Sequence, residues 1–350
     1  MSRHFNKVKS ILFYPKKDTE LILNKIRNFN GKDGFAIYNP ECLGIMNSTK
    51  DLFENSMDMK ELLNKKQIEA ISDAIIETGV KYVIFSSITF GWKALVEKIK
   101  EKNSNIKIKF LWHGSHAMFV ERDESYFLYS IIELMDRKIV DSIGFFKESM
   151  AEFYKEKGYN SYYVTNNVNN ISVTNSNAFE KKEKHIYLGS YAAGDRWGKN
   201  TANQLSAAAM VDNAIVDVIP VTDLIKEFCH TIKLEINDEN LKYLPRQELL
   251  NRMSLNDVNL YVTFTECSPV IPLESLELGV PCITGNNHSY FKDSELEKYL
   301  VVKSEDDIDE IHEKIKLCLS EKENIMKLYS NWKKDYDVIA KKLLKDFING

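Results

Sequence analysis

Two carboxylates, Glu266 and Glu274, stand seven residues apart in the stretch NDVNLYVTFTECSPVIPLESLELGVPCITG, residues 256–285. An apolar run, Leu260 to Phe264, precedes them and reads as a strand; a short helix, Gly279, Pro281 and a second apolar run follow. The pattern predicts a parallel βαβ unit with acid at the carboxyl end of its first strand, the edge at which open α/β sheets bind ligands. Pro269 and Pro272 lack an N–H, and Pro272 suits the first turn of a helix. The remaining donors on the turn are the amides of Cys267, Ser268, Val270 and Ile271, and amides at a helix N-terminus hold anions. Glu274 falls in the expected first turn, where the dipole favours a carboxylate. Gly279 is placed for a left-handed C-cap, and Pro281 bars continuation. The segment thus offers amides to a phosphate and carboxylates to hydroxyl groups, and a nucleotide sugar needs both. In the plainer reading, Glu274 complements its own helix and Glu266 is a solvated loop acid.

Other residues could share this chemistry. His113 follows an apolar run ending at Trp112, and Gly114 lets the backbone turn sharply. A histidine there points into a ligand crevice, or else bonds a backbone carbonyl at the strand end. His116 could pair with it on a metal, but no third ligand is evident and no metal is expected. Arg196 and Lys199 lie in LGSYAAGDRWGKN, on a loop kept open by Gly194 and Gly198, with Lys199 opening a helix. Two such cations can clamp a diphosphate, Arg bidentately and Lys as a point charge, or be merely solvated. Asp307-Ile308-Asp309 spells a D-x-D but sits at a helix start, where acids complement the dipole. Lys16 and Lys17 could meet an acceptor phosphate, although a solvated pair is the simpler reading.

The elements that must position these groups alternate. Ser10–Tyr14, Tyr82–Ser86, Ile106–Trp112 and Ile139–Phe145 read as buried strands, with helices over Met59–Thr78, Phe90–Lys102, Phe127–Arg137 and Lys147–Lys157. An Asn-rich stretch, Thr165 to Asn177, has no periodicity and reads as a linker. The second half repeats the alternation. Strands are expected at Ile186–Gly189, Val216–Ile219, Leu260–Phe264, Cys282–Thr284 and Leu300–Val302, and helices at Lys199–Met210, Thr222–His230, Arg246–Met253 and Ile308–Leu319. A long amphipathic helix, Glu323 to Phe347, closes the chain. Such alternation predicts parallel sheets covered by helices on both faces.

At 350 residues the chain has room for two domains. A net charge of −4 gives no nucleic-acid footprint. Five cysteines, odd in number and without C-x-x-C, argue for reduced thiols in a cytoplasmic setting. No apolar run approaches the length of a signal h-region or a membrane span.

The 256–285 stretch resembles the E-x7-E signature of retaining glycosyltransferases of the GT-B type, family 4 in particular. Glu266, Pro269, Glu274, Gly279, Pro281 and Ile283 fall in step with it; Ser268 stands where an aromatic is usual and Ser275 where alanine is. The resemblance implies an α/β GT-B fold, with two Rossmann-like domains facing across a cleft and a C-terminal helix crossing back to the first. Expected bounds are an acceptor domain over 1–168, a linker over 169–180, a nucleotide-sugar domain over 181–325 and the returning helix over 326–350. The implied activity is retaining transfer of a hexose-type sugar from a nucleotide diphosphate, UDP by default, to a glycan, lipid-linked or protein hydroxyl. His113 and Glu266 would be catalytic. Arg196 and Lys199 would hold the diphosphate, although R-x-x-K is tighter than the usual spacing. Leu244 would meet the base, Glu274 the ribose, and the amides of Ser268, Val270 and Ile271 the donor. No cofactor or metal is implied, and the place would be the cytoplasm, with peripheral contact at the inner face of a membrane left open. An inactive nucleotide-sugar-binding partner subunit, or an epimerase on the same fold, are the competing readings.

Overall fold

The computed structural model describes residues 16–60, 63–120, 122–168, 171–174, 178–191 and 196–350. The expected strand Ser10–Tyr14 and Gly194 lie outside them, as do the side chains of Lys16 and Lys17. The chain forms two compact units, one ending at Asn166 and including Lys341–Gly350, the other Asn167–Ala340.

The first unit is a parallel sheet of six described strands, β1 (Gly34–Tyr38), β2 (Ser56–Asp58), β3 (Tyr82–Ser86), β4 (Lys107–Trp112), β5 (Ser142–Phe145) and β6 (Ser161–Tyr163), in the order β2-β1-β3-β4-β5-β6. Its middle strands are buried on both faces, as helix-covered parallel strands must be. The helix expected from Met59 begins instead at Lys65. Asn64 and Gln67 exchange side chain-to-backbone bonds of 3.0 Å in a capping box, while Met59 N still bonds Tyr38 O at 2.9 Å beside β2. The strand expected from Ile139 begins at Ser142, because Lys138 turns with φ 57° and Ile139 N bonds Leu134 O, closing the preceding helix.

The second unit has six parallel described strands, β7 (Ile186–Ser190), β8 (Ala214–Val218), β9 (Glu235–Ile236), β10 (Val258–Tyr261), β11 (Cys282–Gly285) and β12 (Val301–Val302), in the order β12-β11-β10-β7-β8-β9. From β7 the chain winds one way through β8 and β9, and from β10 the other way through β11 and β12. That is the doubly wound Rossmann order, with its switch point between β7 and β10. Under this edge lies a buried polar network. Asp217 binds the Arg252 guanidinium and the Tyr191 hydroxyl (2.6 Å), and Asn256 links Tyr191 to Asn259. Gly189 runs so close over it that a Cβ would come within 2.1 Å of Asn259 Oδ1, so only glycine fits that position of β7.

The last helix, Lys322–Asn349, belongs to both units. Tyr329 and Tyr336 are buried in the second. In the first, Phe347 is fully buried and its carbonyl accepts a hydrogen bond from the buried Lys109 ammonium at 3.1 Å.

Candidate active site

The loops after β7 and β10 open at the switch point, and two polar side chains and a backbone hydrogen bond bind them together. Asn200 adopts the left-handed region, φ 54°, which its short amide tolerates, and donates to Val262 O at 3.0 Å. Gln204, fully buried on the helix Thr201–Ala209, donates to Lys199 O at 2.8 Å and accepts from Val262 N at 3.2 Å. Phe264 N bonds Gly198 O at 2.9 Å. Lys199 therefore closes a short 3₁₀ turn, Trp197–Lys199, instead of opening the helix. The strand β10 ends at Tyr261, short of the expected Phe264, because Val262 turns its amide to Gln204.

This frame sets Lys199 against Glu266. Nζ lies 2.5 Å from Oε1, with both side chains about four-fifths buried. The Tyr261 hydroxyl donates to the same Oε1 at 2.9 Å. Burial, and then the Glu266 charge, hold the Tyr261 phenol well above its ordinary pKa, so it remains a donor. Arg196 is exposed at the start of the same turn, and beside it Trp197 stacks on Phe264 with ring centroids 6.2 Å apart.

Glu274 meets a second cation. The helix runs Val270–Glu277 with Pro269 as N-cap, so Glu274 lies in its second turn. Pro272 falls in the first turn as expected, whereas the expectation that Glu274 shares that turn is corrected. Pro269 already supplies the fixed φ of an N-cap (−67°), and its carbonyl is held by the Tyr290 hydroxyl at 2.9 Å. Glu274 is buried and accepts from Arg246 Nε at 2.6 Å. The helix ends in a Schellman turn: Gly279 has φ +78°, Gly279 N bonds Leu276 O and Val280 N bonds Ser275 O, both at 3.0 Å. Both serines that depart from the signature have partners. Ser268 Oγ meets the Tyr290 hydroxyl at 2.7 Å, and Ser275 accepts from Asn259 at 2.8 Å while donating to Val280 O at 2.7 Å. Leu244 and Ile271 pack on one apolar cluster with Tyr191, Ile219, Leu250 and Met253, and Val270 turns into the main core of the unit.

His113 belongs to the first unit, at the carboxyl end of β4. Its Nε2 lies 2.7 Å from Ser86 Oγ, and its ring tilts against Phe146 with centroids 4.4 Å apart. Enclosure drives the imidazole pKa down to about 3, so the ring is neutral at physiological pH. His116 instead faces Tyr154, and Asp307 caps the helix Ile308–Ser320 by accepting from Glu310 N at 3.0 Å.

Sequence reasoning did not single out Tyr261, Arg246, Asn200 or Gln204. Arg246 carried a signal: it opens a helix, where a cation opposes the dipole, and such a residue needs a nearby anion. Gln204, mid-helix among alanines and a leucine, carried a weaker one.

Residues 173–335 match the family Glycosyl transferases group 1. A search of curated proteins found no match. Among solved structures, an α,α-trehalose-phosphate synthase (UDP-forming) from Burkholderia vietnamiensis superposes with a TM-score of 0.58 at 8% identity, covering 91% of this chain and 100% of that one. A sucrose-phosphate synthase from Thermosynechococcus elongatus gives 0.57 at 11%, covering 84% and 81%. An E. coli trehalose-6-phosphate structure bound with UDP-2-fluoro glucose gives 0.54 at 10%, covering 88% and 99%. Taken with the doubly wound sheets, these matches give residues 173–335 the pattern of a glycosyl transferases group 1 domain and the chain the GT-B fold.

Proposed function

We propose that the chain moves a hexose-type sugar, with retention, from a nucleotide diphosphate to an acceptor hydroxyl on a glycan, lipid or protein. The observation that carries the reading is the Lys199–Glu266–Tyr261 cluster at the switch point, inside the stretch that matches group 1. UDP is the first nucleotide to test, because one structural neighbour is named UDP-forming and another holds a UDP-sugar analogue. Retention rests on the E-x7-E pattern.

In this reading the donor exchanges one anion for another. Its diphosphate takes Lys199 from Glu266, with Arg196 joining, and the Glu266 carboxylate turns to the sugar hydroxyls while Tyr261 keeps its orientation. The cations stabilise the leaving group most as its charge builds in the transition state. Glu274, held by Arg246, receives the ribose, and His113 accepts a hydrogen bond from a substrate hydroxyl. An oxygen that keeps accepting from the Tyr261 hydroxyl is a weakened nucleophile, which favours a positioning role for Glu266. The leaving phosphate then takes the acceptor's proton.

The test is calorimetric titration with UDP, GDP, ADP and TDP on wild type and on the Arg196→Ala, Lys199→Ala double variant. One nucleotide should bind wild type and fail on the variant. Glu266→Gln should bind that nucleotide and lose transfer, with sugar phosphates included among the acceptors tried. Absence of binding by every nucleotide would move the partner-subunit reading to the front.

A further inference from the structure

Three hydrogen bonds run in series beneath His113. Nε2 lies 2.7 Å from Ser86 Oγ, Ser86 Oγ lies 2.6 Å from Thr49 Oγ1, and Thr49 Oγ1 lies 2.7 Å from the Ile45 carbonyl. Each hydroxyl has a single hydrogen, and a carbonyl oxygen can only accept. Thr49 therefore spends its hydrogen on Ile45, four residues back, the bond a helical threonine commonly makes. Ser86 must then donate to Thr49, and its oxygen can only accept from His113. The proton on His113 is thereby assigned to Nε2, and the neutral ring presents Nδ1 as an acceptor.

We infer that Thr49 and Ser86 are positioning residues that fix His113 as its Nε2–H tautomer, so that Nδ1 faces substrate as a hydrogen-bond acceptor. The geometry suits the task. Thr49 lies on the helix Leu43–Leu52 and Ser86 at the end of β3, both fully buried, so water does not compete for the bonds. Ser87 follows in the left-handed region at φ 77°, its amide bonded to Leu111 O at 2.8 Å, which fixes the end of β3 to β4, the strand that carries His113. Phe146 covers the ring from the side. The order of donors also sets the chemistry: Nδ1 can receive a hydrogen bond from a sugar hydroxyl and cannot give one.

The part concerning substrate rests on the proposed transfer reaction; the tautomer does not, and it is read without substrate. Long-range ¹H–¹⁵N spectra of histidine-labelled protein at pH 7.5 should show His113 as Nε2–H. Thr49→Val keeps the shape and removes the acceptor for Ser86. Ser86 then turns its hydrogen onto Nε2, and His113 should switch to Nδ1–H. Thr49→Ser restores the hydroxyl and should restore Nε2–H. Where transfer is measurable, Thr49→Val should lower kcat by about tenfold or more, the scale of one misdirected hydrogen bond, with nucleotide affinity unchanged. An Nδ1–H wild type, or Thr49→Val retaining Nε2–H, overturns the tautomer assignment. A switched tautomer with wild-type kcat overturns the positioning role. Failure of every nucleotide to bind would instead refute the transfer reading and leave the tautomer result standing.

Discussion

The neutral, partly buried His113 makes a quantitative demand on stability against pH. The folded imidazole titrates at about 3 and its unfolded counterpart near 6.5. Between those values the unfolded chain binds a proton that the folded chain refuses, so stability falls as pH drops from 6.5 towards 3 and is unaffected by this group above 6.5. At pH 5, one and a half pH units below the unfolded value, the loss from this histidine alone is about 2 kcal/mol at 1.36 per unit. Other groups titrate too, so the assay is a difference of differences: urea unfolding of wild type and His113→Gln at pH 7.5 and 5.0. Glutamine keeps an N–H for Ser86 and has no proton to gain. Wild type should lose about 2 kcal/mol more than the variant over that interval. The same ring should show no NMR titration step above pH 5. A step near 6.5, with equal losses in the two proteins, would refute the burial argument and with it the neutral acceptor role.

Tyr261→Phe keeps the buried ring and deletes the 2.9 Å bond to Glu266. A hydrogen bond to a charged group is worth about 1.5–3 kcal/mol, so kcat should fall roughly ten- to a hundredfold with nucleotide affinity retained. A parallel loss of affinity would assign Tyr261 to the nucleotide instead. Arg252→Met strands Asp217 beneath β7 with Tyr191 and Asn237 as remaining partners, and should cost about 3–5 kcal/mol by denaturant unfolding. A cost below about 1 kcal/mol would refute the reading of Arg252 and Asp217 as a buried ion pair. Gly279→Ala places its Cβ in open space and pays only for the left-handed backbone, about 1 kcal/mol by the same assay.

The strongest parts of the sequence reading were those where pattern and length agreed. Phe90–Lys102 and Arg246–Met253 are helices with the expected bounds, and Tyr82–Ser86 is a strand with the expected bounds. The strand β1, GFAIY, was missed although all five residues are buried: so short an apolar run has no period to separate strand from helix. The strands β2, β6 and β9, two or three residues long, carried no pattern at all. Gly279 was legible because only a few chain geometries need a glycine followed two residues later by proline. The register of the helix before it was not. Two prolines stood within four residues, and the helix is capped at the earlier one, Pro269, whose carbonyl accepts from Tyr290, a residue far along the chain.

The partners of the two carboxylates were hidden for a related reason. An E-x7-E spacing says that two acids share one edge of a sheet; it does not say what neutralises them. In the folded chain each meets a cation from another element, Lys199 of the 3₁₀ turn for Glu266 and Arg246 at a helix start for Glu274, and both pairs are largely shielded from water. A carboxylate enclosed without a partner would cost several kcal/mol, so a site assembled to hold charged ligands must hold its own charges in their absence. The consequence bears on function. In the proposed reaction a diphosphate arriving at Lys199 would compete with a resident carboxylate, so removing that carboxylate would strengthen nucleotide binding even as it removed the proposed sugar contacts. Glu266→Gln should therefore bind nucleoside diphosphate more tightly than wild type while transferring no sugar, a pairing of gain and loss that a purely structural Lys199–Glu266 bridge would not produce.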